Sequence, residues 1–106
     1  MKVKTYNKLV RDLIPDIIDK SGNQCRTRIL SDEEYISMLD KKLDEELAEY
    51  HSDQNIEELA DLLELIRTAT LARGYTLEEL ETVSAEKHRT RGGFDKKILL
   101  IDVEEK

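Results

Sequence analysis

Two pairs of acidic residues with i, i+3 spacing carry the clearest chemical signal in this chain. Glu46 and Glu49 lie in the run Asp44-Glu45-Glu46-Leu47-Ala48-Glu49, and Glu58 and Asp61 lie in Glu57-Glu58-Leu59-Ala60-Asp61. Both runs have helical character, and residues three apart on a helix share a face. Two helices joined by a short turn would bring the four carboxylates into one small volume. Carboxylate oxygens are the hard ligands that Mg²⁺ and Mn²⁺ prefer, so the chemistry to expect is a divalent-cation site.

Energetics sharpen that expectation. At roughly 100° per residue, Tyr35, Ile36, Leu39, Leu43, Leu47 and Tyr50 form the apolar stripe of the first helix. Glu46 falls inside this stripe, and Glu49 lies on its flank. On the second helix Leu59, Leu62, Leu63 and Ile66 make the main stripe, with Glu58 and Asp61 to one side. An unpaired acid on an apolar stripe resists leaving water. Two carboxylates at about 4 Å also repel by about 4 kcal/mol at an effective dielectric near 20. A bound divalent cation reverses both penalties. The competing reading is an ordinary solvated acidic face, and Glu58 would also serve as the N3 acid of a helix capped by Asn55.

The elements that must position these acids can be read along the chain. The first ten residues form an extended arm. Asp12 is positioned to cap a short helix reaching about Lys20, with Pro15 in its first turn and Ser21-Gly22-Asn23 stopping it. Gln24 to Leu30 alternates and predicts a short strand. Ser31 and Glu34 form a capping box that opens a long helix to about His51. Ser52 to Asn55 make the turn, and a second long helix runs from Ile56 to about Arg73, ended by Gly74. Thr76 and Glu79 form another capping box for a third helix, to about Thr90. Gly92-Gly93 breaks it, and Lys97 to Val103 predicts a second strand. The expected fold is all-α, one domain over residues 1–106, with a small two-stranded β appendage. The second long helix is apolar around most of its circumference, so it must be buried on several sides. A homodimer, with two long helices per subunit forming a four-helix bundle, would supply that burial.

The acidic pattern, Glu45-Glu46-x-x-Glu49 followed by Glu58-x-x-Asp61, resembles the signature of the MazG-like superfamily of all-α nucleoside triphosphate pyrophosphohydrolases. This group includes phosphoribosyl-ATP pyrophosphohydrolase and the dimeric dUTPases. Tyr6-Asn7-Lys8-Leu9-Val10-Arg11-Asp12-Leu13-Ile14-Pro15 resembles the opening of its house-cleaning branch, thought to act on noncanonical nucleotides. Arg91-Gly92-Gly93-Phe94-Asp95-Lys96-Lys97-Ile98 resembles that branch's closing segment. Only eight residues, Tyr50 to Glu57, separate the two acidic pairs; classical members have a longer connection.

The resemblance implies cleavage of a nucleoside triphosphate to monophosphate and pyrophosphate. Mg²⁺, or Mn²⁺ in its place, would be held by Glu46, Glu49, Glu58 and Asp61. Glu45 lies beside Glu49 on the wheel but further from the core stripe. It is the candidate general base, its pKa expected to be raised by its acidic neighbours. Phosphate oxygens call for donors, and Lys8, Arg11, Lys42, Lys87, Arg89 and Arg91 are the candidates. Lys87 and Arg89 also suit a plain helix C-terminus, where basic side chains balance the dipole. Lys42 is placed to pair with Glu46 or to bind phosphate. His51 and His88 have no ligand spacing, which argues against zinc.

Composition bounds the partners. A net charge of −7 with 39% charged residues argues against DNA or RNA polymers, which need a concentrated basic surface. The single Cys25 suits a reducing cytoplasm and reads as a passive small residue. The lysine-rich N-terminus lacks an apolar stretch, which predicts neither a secretory leader nor a membrane span. The leading expectation is therefore a cytoplasmic, Mg²⁺-dependent nucleotide pyrophosphohydrolase. Hydrolysis of phosphoribosyl-ATP in histidine biosynthesis is the alternative enzyme. A non-catalytic helical dimer that binds metal or a partner is the alternative of another class.

Overall fold

The computed structural model describes residues 2–106, and its regular elements are four helices: α1 (Ile14–Lys20), α2 (Asp32–Asp53), α3 (Ile56–Ala72) and α4 (Leu77–Arg91). The fold is all-α. The helix starts follow their caps. Ser31 Oγ accepts from the Glu34 amide while the Glu34 carboxylate accepts from the Ser31 amide, and Thr76 and Glu79 repeat the arrangement on α4. Asn55 accepts from the Glu58 amide at 3.0 Å, so this acid's backbone also fixes the start of α3. Each bond satisfies an amide that the helix itself leaves free.

Asp12 does not cap α1. The helix begins two residues later, with Leu13 at the N-cap and no side-chain bond. An Arg11 carbonyl to Ile14 amide turn at 3.1 Å sets the start instead. α2 continues to Asp53, two residues beyond the expected His51, and ends where Gln54 adopts left-handed backbone at φ 53°. That residue and Asn55 turn the chain tightly, so α2 and α3 pack as an antiparallel hairpin. Arg73, just past α3, donates to Asp40, two turns into α2, at 3.3 Å and ties the end of the hairpin away from the turn. α4 packs lightly on α3 alone, and α1 stands off the other helices.

Neither expected strand forms within the single chain: residues 23–31 and 97–106 are irregular. A two-stranded ribbon gains little unless it lies on an apolar platform, and the helices offer these segments none. The side chains of Ile29, Leu99 and Ile101 are almost fully exposed.

Among the described residues Leu39 is the one buried apolar side chain and Glu46 the one buried polar residue. The accessible surface is 10198 Å², whereas a compact monomer of 12.3 kDa exposes about 6,100 Å². The radius of gyration is 18.9 Å, against about 13 Å for a compact chain of this length. The hairpin is the sole substantial packing unit, and the acids lie on it.

Candidate metal centre

The hairpin brings the two acidic pairs together. Glu46 from α2 and Glu58 and Asp61 from α3 each present a carboxylate oxygen within 4.8 Å of the others. Glu45, Glu46 and Glu49 form a second such group along α2, so Glu46 belongs to both. The short connection between the pairs suffices because the turn takes just Gln54 and Asn55.

Glu46 is 7% exposed. Its pKa is raised, first by burial and then by the Glu49 carboxyl beside it. Its Oε2 is enclosed without a hydrogen-bond partner, as is Oε2 of half-buried Glu58. The Glu58 pKa is raised too, by burial above all, with Asp53, Asp61 and Glu46 adding repulsion. Buried polar oxygens normally have partners. Two orphaned carboxylate oxygens in one group, all hard donors, fit a small divalent cation of the Mg²⁺ type.

Cations already lean on this group. Lys8 Nζ from the N-terminal arm donates to Glu45 Oε1 at 3.0 Å, and Arg11 Nη2 donates to Asp61 Oδ1 at 2.7 Å. Lys42 Nζ lies 3.4 Å from Glu46 and 3.5 Å from Glu45. The expectation that acidic neighbours raise the Glu45 pKa is therefore corrected. The Lys8 hydrogen bond, with Lys42, holds this carboxyl below its usual range despite some burial. In turn Glu45 raises the Lys8 pKa. Helical spacing revealed the carboxylates around Glu45 but gave no sign of an ammonium 37 positions away in the chain.

The basic residues of α4 lie apart from the acids. Arg89 forks onto Glu86, one turn back on its own helix, at 2.6 and 3.0 Å. Lys87 and Arg91 are exposed and make no hydrogen bond or ion pair with the acidic group. The irregular arm brings in residues that no spacing had marked. A cleft of about 260 Å³ between the arm and α2 is lined by Tyr6, Asn7, Met38 and Lys41, and by Lys8, Lys42 and Glu45 of the centre itself. No helix among the described residues is long and apolar enough to cross a membrane.

Comparison with known proteins assigns no family. No family model matches the chain, and no solved structure does. A protein of Mycolicibacterium smegmatis described as uncharacterized is 57% identical over 42 residues, a stretch covering 40% of this chain and 43% of that protein. The match thus spans less than half of that relative.

Proposed function

We propose that the chain is a Mg²⁺-dependent nucleoside triphosphate pyrophosphohydrolase of the MazG-like kind, acting on noncanonical nucleotides. The observation that carries the reading is the pair of enclosed, partnerless oxygens on Glu46 and Glu58 within one carboxylate group. Glu46, Glu49, Glu58 and Asp61 would hold the metal, Mg²⁺ or Mn²⁺ in its place. When bound, the ion supplies polarisation of phosphate oxygens and charge neutralisation.

The chain's own residues do the rest. Lys8, Arg11 and Lys42 stand at the rim of the centre with donors that phosphate oxygens can take over from Glu45, Asp61 and Glu46. Transfer of Lys8 to a phosphate removes the largest cause that holds the Glu45 carboxyl low. Glu45 is then left with its partial burial, which favours proton uptake. It accepts the proton of the attacking water as the new P–O bond forms. The α–β anhydride bond breaks, and the products separate as monophosphate and pyrophosphate.

The reading includes a homodimer whose four-helix bundle is built from α2 and α3 of each copy. Its support is the roughly 4,000 Å² of surface beyond the compact expectation and the half-exposed Leu59, Leu63 and Ile66 along α3. Residues 24–30 and 97–103 pair as a ribbon once that assembly gives them a platform. A cytoplasmic setting accords with the exposed, unpaired Cys25.

Incubation with Mg²⁺ and a panel of canonical and modified nucleoside triphosphates, plus phosphoribosyl-ATP, tests the reaction. Pyrophosphate release that disappears in Glu46→Gln and Asp61→Asn is the expected result. Silence across the panel, with Mn²⁺ also tried, would leave a binding protein in place of an enzyme.

A further inference from the structure

The cleft between the N-terminal arm and α2 shares Glu45, Lys8 and Lys42 with the metal centre but extends away from it. Its lining is richer in cations than the chain as a whole, whose net charge is −7. Lys8, Lys41 and Lys42 line it; Lys8 and Lys42 are paired with Glu45 and Glu46, as ammonium groups that an anion can engage, and Lys41 adds a third. An anionic ligand is favoured where cations converge. The same lining also offers the Tyr6 ring, the Met38 thioether and the Asn7 amide. Tyr6 is 61% exposed, so its ring is accessible to a ligand. The Lys4 ammonium lies 5.0 Å from its centroid and steadies it. Asn7 adopts left-handed backbone at φ 48°, a conformation that Asn tolerates better than most residues.

A ring, a polarizable thioether and a side chain that both donates and accepts hydrogen bonds are what a flat heterocycle requires. The cleft, at about 260 Å³, is below the ~300–1,000 Å³ of sites that enclose a whole drug-sized ligand. It takes one end of a nucleotide. We propose that this cleft is the nucleobase subsite: Tyr6 and Met38 hold the base, Asn7 reads its edge, and Lys8 and Lys42 pass the phosphates to the acidic centre. The assignment rests on the nucleotide reading above and adds the residues that would discriminate among bases.

Methionine methyl resonances give a test independent of turnover, since Met1 and Met38 are the two methionines. The Met38 signal is identified by its loss in Met38→Leu. Full-length protein with Mg²⁺ is titrated with adenosine and uridine monophosphates and, separately, with ribose 5-phosphate. The Met38 methyl is expected to shift with the nucleotides, through ring current, and to stay in place with the sugar phosphate. Tyr6→Ala should weaken nucleotide binding roughly 5- to 150-fold, the range for removing one base–aromatic stack, and leave ribose 5-phosphate affinity unchanged. A Met38 signal that stays still with nucleotides, or moves equally with ribose 5-phosphate, overturns the subsite. Failure of the parent reading looks different: Met38 responds to nucleotides while no triphosphate releases pyrophosphate. Turnover with a silent Met38 keeps the hydrolase and removes this subsite.

Discussion

Glu46 is the residue on which the candidate metal centre turns, because it sits in both carboxylate groups and is nearly enclosed. Without metal its charge is disfavoured by burial and by Glu49, more than Lys42 offsets. Glu46→Gln should therefore raise the melting temperature of metal-free protein by a few degrees while abolishing turnover. An unchanged or lowered melting temperature in chelator would show that the acids do not strain the apo fold. The same logic fixes a pH dependence. Glu46 and Glu58 have folded pKa values above the ordinary 4.5, so their protonation favours the folded state. Metal-free stability should rise as pH falls from about 7 through these raised values toward about 4.5. Glu45 and Glu34 act oppositely, since their folded pKa values are lowered, that of Glu34 to about 2. Their contribution is present above 4.5 and is lost as pH falls further. Melting curves in chelator should thus peak on the acid side of neutrality, and saturating Mg²⁺ should move the peak toward neutral pH. A chelator curve that climbs steadily to pH 7 would contradict this.

At the scale of elements, the hairpin is set by short-range chemistry. Ser31 and Glu34 start α2, Gln54 ends it, and Asn55 starts α3 within one residue. This compact junction puts Glu58, in the first turn of α3, opposite Glu46 near the end of α2. Arg28 also forks onto Glu34 at 2.7 and 3.1 Å, so the cap is tied to the irregular segment before it. Ser31→Ala should cost about 1 kcal/mol, as loss of an N-cap does, and chemical denaturation would measure it. Asn55→Ala should cost a similar amount and in addition weaken Mg²⁺ binding, because the start of α3 positions Glu58. Titration calorimetry separates the two effects: a variant that loses stability with full metal affinity would uncouple the cap from the site.

For the whole molecule, the decisive quantity is burial. One enclosed apolar side chain cannot sustain 106 residues, because small domains are stable only when enough apolar surface leaves water. The exposed leucines of α3 and the row Ile98 to Ile101 are the surfaces that the proposed second copy would cover. Light scattering after size exclusion should give a dimer at micromolar concentration, and Leu63→Glu should dissociate or unfold it. A compact, stable monomer would refute the assembly and with it the four-helix bundle.

Much of this protein could be read from local pattern. Caps, helical periodicity and the i, i+3 acids depend on neighbours within a turn, and there sequence distance equals spatial distance. The three long helices, their hairpin turn and the approach of Glu46 to Glu58 and Asp61, with Glu49 beside Glu46 on α2, were legible for that reason. The tertiary structure alone decided what reaches the acids from afar. Lys8 and Arg11 meet Glu45 and Asp61 across 37 and 50 positions, and Lys8, with Lys42, reverses the pKa shift expected for Glu45. The cleft at Tyr6, Asn7 and Met38 likewise joins an irregular arm to a helix, a contact without periodicity. The strands failed for the complementary reason: alternation supplies the side-chain pattern of a ribbon, but pairing needs a platform that one chain does not build.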